Sequence, residues 1–228
     1  MLEKDSLSFF LGRPSKIFEK NGKINVVDLY EDETTTIYDC EADTLIGRFF
    51  KIGQGPHDTS WPIQINASSN IFSIYERQSG KYREYDLTDL VSNKNYSLVK
   101  ELTFEMSDQL IKTPFGFICT GMFEPGLINF YDQHGFLINN LDPFRGKLDI
   151  ITEIGDRFYI GQGLMSYGKK DNTFLYATYF TGDIFVYDYS NNDISEKKHI
   201  KIGKEIIKED QLHYENRQRI SIPRIRCG

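Results

Sequence analysis

The sequence predicts an all-β chain assembled from one repeated unit, and three observations predict it. The 228 residues are 14% aromatic with four Met, a composition suited to flat rings on a pleated surface. Four apolar stretches end in the same dipeptide: Thr36-Ile37-Tyr38-Asp39, Arg83-Glu84-Tyr85-Asp86, Asn129-Phe130-Tyr131-Asp132 and Phe185-Val186-Tyr187-Asp188. Their tyrosines fall 47, 46 and 56 residues apart. Helical periodicity is scarce, with Lys204–Gln211 the one modest stretch.

Spacings in the forties match the four-stranded blade of a β-propeller, which takes roughly 40–50 residues. Each unit supplies the four strands in turn. A first, less regular strand is predicted at Ser15–Glu19, Pro62–Ile65, Gln109–Thr113 and Ile150–Ile154. An alternating second strand follows at Lys23–Tyr30, Asn70–Arg77, Gly116–Phe123 and Thr173–Phe180. Turn-rich stretches such as Gln78-Ser79-Gly80 and Glu124-Pro125-Gly126 then reverse the chain into the Tyr-Asp strand. A fourth strand is predicted at Leu45–Ile52, Leu98–Glu105, Phe136–Leu141 and Lys198–Ile202. The longer last interval is assigned to an insertion at Leu164–Asp171. In each pair the Tyr buries its ring against a neighbouring blade. The Asp accepts backbone N–H groups of the turn and so ends the pairing.

Blade boundaries are expected near residues 7–57, 58–106, 107–148 and 149–203, with 204–228 a basic tail or the start of a further blade. The formal net charge of −6 is uneven. Residues 197–228 carry nine basic and four acidic side chains, so the remainder is strongly acidic. An acidic body argues against general nucleic-acid binding, which rests on phosphate neutralisation. No apolar run reaches the roughly 18 residues of a membrane span. Cys40, Cys119 and Cys227 form no CxxC pair, which argues against a disulfide framework or a cysteine zinc site. Met1–Ser6 lacks the basic start and apolar run of a signal peptide, so the chain is expected to be cytoplasmic or to have lost a leader before this numbering.

The first unit reads Leu11-Gly12-Arg13-Pro14, then a strand, then Tyr38-Asp39, then Arg48-Phe49-Phe50-Lys51-Ile52-Gly53-Gln54-Gly55-Pro56. This resembles the TolB-like six-bladed β-propeller proteins of Bacteroides-type bacteria, many of them uncharacterised lipid-anchored envelope proteins. The carrying signature is the Gly53–Pro56 turn after an aromatic-basic strand, with Asp58 the nearest match to the acidic residue that follows it. The resemblance implies a six-bladed fold and a cell-envelope or periplasmic setting. This chain shows no lipid-attachment cysteine, and four clear units against six imply an incomplete six-bladed propeller or a small closed ring.

Chemistry concentrates in Gly53-Gln54-Gly55-Pro56-His57-Asp58-Thr59-Ser60-Trp61, expected to link two blades. Gln54, His57, Asp58 and Trp61 offer an amide, an imidazole, a carboxylate and a stacking face to a small ligand or a protein. The structural alternative is a tight glycine turn beside a Trp buried between blades. Gly161-Gln162-Gly163 repeats the tripeptide and adds Gln162. Gly53-Gln54-Gly55 is neither a GxGxxG nor a P-loop, and the four histidines lack metal-ligand spacing, so no cofactor or metal is expected. No Gly-x-Ser-x-Gly elbow occurs. The leading expectation is therefore a non-catalytic propeller that binds through its loops. The alternatives are a metal-dependent hydrolase or lyase of sugar-derived substrates, using Asp58, Asn66, Asp108 and Glu153, and a fragment without independent activity.

Overall fold

Hairpin follows hairpin along the chain, giving four antiparallel four-stranded sheets. The computed structural model describes residues 14–20, 22–28, 30–60, 63–68, 70–145, 154–190 and 193–202. Sheet 1 runs β1 (Pro14–Lys20), β2 (Lys23–Asp28), β3 (Glu33–Asp39) and β4 (Thr44–Lys51). Sheet 2 runs β5 (Ile63–Ser68), β6 (Ile71–Glu76), β7 (Lys81–Asp86) and β8 (Leu98–Thr103). Sheet 3 runs β9 (Gln109–Thr113), β10 (Gly116–Thr120), β11 (Ile128–Tyr131) and β12 (Leu137–Leu141). An α-helix, α1 (Ile154–Gly161), precedes sheet 4: β13 (Gly163–Gly168), β14 (Thr173–Thr178), β15 (Asp183–Ser190) and β16 (Asp193–Lys201). The chain divides into two units, Met1–Pro143 with Ser190–Asp193, and Phe144–Tyr189 with Ile194–Gly228.

In the first unit the sheets pack face to face. Val27, Ile37, Phe49 and Phe50 of sheet 1 form one core cluster with Ile65, Phe72, Ile74 and Tyr85 of sheet 2. Phe50 stacks on Phe72 with centroids 5.0 Å apart, and Tyr85 packs at 5.2 Å from the same ring. A second cluster joins Tyr75, Tyr82 and Phe104 to Leu110, Phe117, Cys119 and Tyr131 of sheet 3. Aromatic pairs of this kind are worth about 0.5–1.5 kcal/mol each beyond their buried area. A polar bridge runs alongside: Glu84 Oε1 accepts the Tyr82 hydroxyl and Lys112 Nζ, each at 2.5 Å. Burial and that carboxylate push the Tyr82 hydroxyl pKa far up.

The Tyr-Asp dipeptides lie on the third strand of every sheet and end it in sheets 1 to 3, whereas β15 runs on to Ser190. Tyr85, Tyr131 and Tyr187 are buried, while Tyr38 is half-buried and its hydroxyl donates to Asp43. Three of the aspartates cap the following turn. Asp39 Oδ1 takes the N–H of Glu41 and of Ala42, both at 3.0 Å. Asp86 Oδ1 takes Asp89 N at 2.8 Å, and Asp132 Oδ1 takes His134 N and Phe136 N at 2.8 and 2.9 Å. Asp188 departs from the pattern and pairs with Lys197 Nζ at 3.1 Å.

The fourth unit corrects the strand assignment made from sequence. Its first strand is Gly163–Gly168, which overlaps the stretch assigned to an insertion from Leu164 onward, and Ile154 begins a helix. The rest of the stretch expected as a strand, residues 150–153, lies outside the described residues, as does the modest helical stretch 204–211. The extra length of the last interval accommodates α1. The helix stops at Gly161, where Gln162 N closes a last turn onto Tyr159 O at 3.4 Å. Gly163 then starts the strand in contact with β14, where a Cβ would lie 2.2 Å from Ala177 O.

Candidate functional site

The link Ile52–Ser60 leaves sheet 1 through a strained residue. Phe50 is fully buried at φ +60°, a left-handed conformation costing a non-glycine residue about 1–2 kcal/mol. Its surroundings hold it there. The ring stacks on Phe72, its carbonyl accepts the Thr34 hydroxyl at 3.0 Å, and its N–H donates to Tyr96 Oη at 3.2 Å. Tyr96 comes from the long β7–β8 connection, after a π-helical turn at Asp89–Asn93. Burial raises the pKa of its hydroxyl.

The loop then closes on itself. Thr59 N returns to Lys51 O at 2.8 Å, and Gly53 N to Thr59 O at 3.2 Å. Asp58 Oδ2 accepts Gly55 N at 2.7 Å. Its carboxylate fills the concavity of the turn, so a Cβ on Gly53 would sit 2.3 Å from Asp58 Oδ2. That close approach is the reason for glycine here.

A charged cluster braces the loop from beneath. Arg83 of β7 donates Nη1 to Asp58 O at 3.1 Å and Nε to Glu101 Oε2 at 2.9 Å. The same Nη1 lies 2.8 Å from Glu76 Oε1, an ionic contact in which no N–H is aimed at that oxygen. Glu76 Oε2 accepts Ser60 Oγ at 2.7 Å and Ser79 Oγ at 3.2 Å. Burial disfavours the Arg83 charge, but Glu101 and Glu76 outweigh it, and the guanidinium pKa is raised. Both side chains are nearly closed to solvent, so the cluster fixes Asp58 and Ser60 through groups that cannot relax into water.

On this frame His57 is exposed and lies flat on Tyr96, with centroids 5.0 Å apart and planes 12° from parallel. Gln54 is also exposed, and Asp58 is half-buried and spent within the turn. The structure thus gathers Gln54, His57 and Asp58 in one loop and adds Tyr96 beneath His57. Trp61 lies outside the described residues. Gln162 belongs to the second unit, where its carbonyl accepts Tyr179 N at 2.8 Å. Sequence reasoning missed Tyr96, which sits in the polar stretch Ser92–Ser97 with no pattern to mark it. It also missed Arg83, whose signal was a charged pair, Arg83-Glu84, set between Tyr82 and Tyr85.

Two of the residues considered for a metal site are engaged with cationic side chains. Asn66 Oδ1 accepts Lys16 Nζ at 2.5 Å and Asp108 pairs with Arg77 at 2.5 Å, while Glu153 lies outside the described residues. Among the described residues no group of three or more His, Cys, Asp or Glu stands together as a metal site. No described helix is long and apolar enough to cross a membrane.

Repeated four-stranded antiparallel blades define the class: the chain has the β-propeller fold. No protein-family model and no curated protein matches its sequence. Solved structures do match in fold. An exported-protein candidate of Bacteroides fragilis aligns with a TM-score of 0.52 at 13% identity, over 86% of this chain and 52% of its own. The WD40 domain of Toxoplasma gondii coronin aligns with a TM-score of 0.52 at 9% identity, over 86% of this chain and 47% of its own. The Cps50 (Swd1) β-propeller domain of Myceliophthora thermophila gives 0.52 at 13% identity, over 84% and 56%. The chain spans about half the length of these propellers. At such identities the likeness is one of fold.

Proposed function

We propose that the chain is a non-catalytic β-propeller binding protein whose Gly53–Ser60 loop contacts a small ligand or a protein. The observation that carries this reading is the exposed His57 imidazole laid flat on Tyr96, on a loop braced through Arg83. Loops are where rigid scaffolds place recognition groups, and side chains held before contact lose less entropy on binding. Gln54 supplies an exposed amide on the same loop, adding a donor and an acceptor to the imidazole. The kinship proposed with TolB-like envelope propellers rests on the same turn, Gly53-Gln54-Gly55-Pro56.

A thermal-shift screen of the chain against oligosaccharides, nucleotides, short peptides and divalent cations tests the proposal. The reading expects one class to raise the melting temperature of the wild type and to leave a Gln54→Ala/His57→Ala double variant unmoved. A shift that persists in the double variant places recognition elsewhere. A shift by divalent cations alone favours the hydrolase alternative.

A further inference from the structure

Gln162 joins two segments that carry an exposed aromatic cluster at one end of sheet 4. Its N–H donates to Tyr159 O at the end of α1, and its carbonyl accepts Tyr179 N in the β14–β15 turn. Tyr159 stacks on Phe180 with centroids 5.1 Å apart and planes 20° from parallel. Tyr179 meets Phe180 edge-on at 6.4 Å. Tyr159 is 44% exposed and Tyr179 55%, and neither phenol hydroxyl has a partner among the described residues.

The turn that carries two of these rings is pinned at its base. Thr178 Oγ1 accepts Asp183 N at 2.9 Å and donates to Asp183 O at 3.1 Å, and the Thr181 hydroxyl lies 2.6 Å from it. Ile202 N reaches Gly182 O at 2.7 Å. Rings set in place beforehand lose little freedom when a ligand covers them.

The chemistry of the cluster selects its ligand. Open, flat rings call for a flat apolar face to lie on them. Two phenol hydroxyls and the Gln162 amide call for hydrogen-bonding groups around that face, because an apolar side chain laid over them would leave them unpaired. Neither Phe158–Gly163 nor Tyr179–Gly182 contains a charged residue, so these segments offer a phosphate no counter-charge. Asp183, which follows the turn, is engaged by His199 Nε2 at 2.6 Å. A pyranose meets all three conditions, with C–H groups on its faces, hydroxyls on its rim and no charge.

We infer that Tyr159, Gln162, Tyr179 and Phe180 form a second binding site, for a neutral carbohydrate. Native electrophoresis of the 228-residue chain through gels containing dextran, glucomannan or galactan tests it, because mobility against polysaccharide concentration yields a dissociation constant. At least one of the three is expected to retard the wild type. Tyr159→Ala and Tyr179→Ala are each expected to weaken that binding on the order of tenfold, as loss of a stacked ring demands. Tyr30→Ala, which removes a 64% exposed tyrosine beside β2, is expected to leave it unchanged. Circular dichroism melts verify folding, and Tyr179→Leu, which keeps apolar bulk but no ring, replaces the alanine variant should that variant not fold. A wild type retarded by none of the three polysaccharides overturns the inference, and so does retardation that survives both tyrosine substitutions.

Discussion

Tyr85 stands directly opposite Leu98 across β7 and β8, and the residue after that leucine, Val99, is skipped by the ladder. The same arrangement recurs in two other sheets of the first unit. Tyr38 faces Leu45 with Ile46 skipped, and Tyr131 faces Leu137 with Ile138 skipped. Each Tyr-Asp dipeptide is therefore half of a longer device, a bulge built from Leu and a β-branched residue. A bulge bends and twists an outer strand and so blunts an edge that would otherwise pair with other chains. Deleting Val99 should force a regular register, turn side chains of β8 to the wrong face and lower the melting temperature more than Val99→Thr does. Differential scanning calorimetry of the two variants makes the comparison, and equal losses would show that the skipped residue carries no register information.

Arg83 should be among the costlier polar substitutions in the chain. Arg83→Met leaves Glu76 charged, buried and without its cation, a loss of about 3–5 kcal/mol for a broken buried pair. Adding Glu76→Gln should restore part of it. Urea unfolding of the single and double variants reads both, and additive losses would dissolve the proposed coupling.

Phe72 is fully buried and stacked on the strained Phe50. Phe72→Ala should cost about 3–5 kcal/mol, the range for removing a buried aromatic ring. Phe136→Ala removes a ring that is 72% exposed and should cost little, so chemical denaturation of the pair separates burial from ring loss.

The capping aspartates predict a pH dependence. The backbone N–H of Phe136 holds the Asp132 carboxyl below its ordinary range, and the N–H groups of Ala42 and Glu41, with Lys23, do the same for Asp39. A lowered folded-state pKa contributes stability that is present above the unfolded value of about 4 and is lost as pH falls through the folded one. Melting temperature should therefore drop below about pH 4, and less steeply in Asp132→Asn. An identical acid limb in that variant would assign the loss to other groups.

The architecture was legible because a period survives in the sequence: the Tyr-Asp pairs mark the same strand in all four sheets. Sheet 4 shows where local reading fails. Local sequence favoured a first strand ending at Ile154, yet Ile154 opens a helix and the first strand of the sheet is β13, which pairs along its whole length with β14. That position is decided by pairing with a partner strand and not by local propensity. The candidate site was half legible for a related reason. Gln54, His57 and Asp58 are local to one turn, whereas Tyr96 reaches His57 across 39 residues and Arg83 reaches Asp58 across 25.

Titration of the isotope-labelled chain with the compound class that raises its melting temperature tests the central claim most directly. The account expects amide shifts concentrated at Gly53–Ser60 and Tyr96, with His57 imidazole resonances among the largest changes. Shifts confined to other loops, with His57 and Tyr96 unmoved, would contradict it.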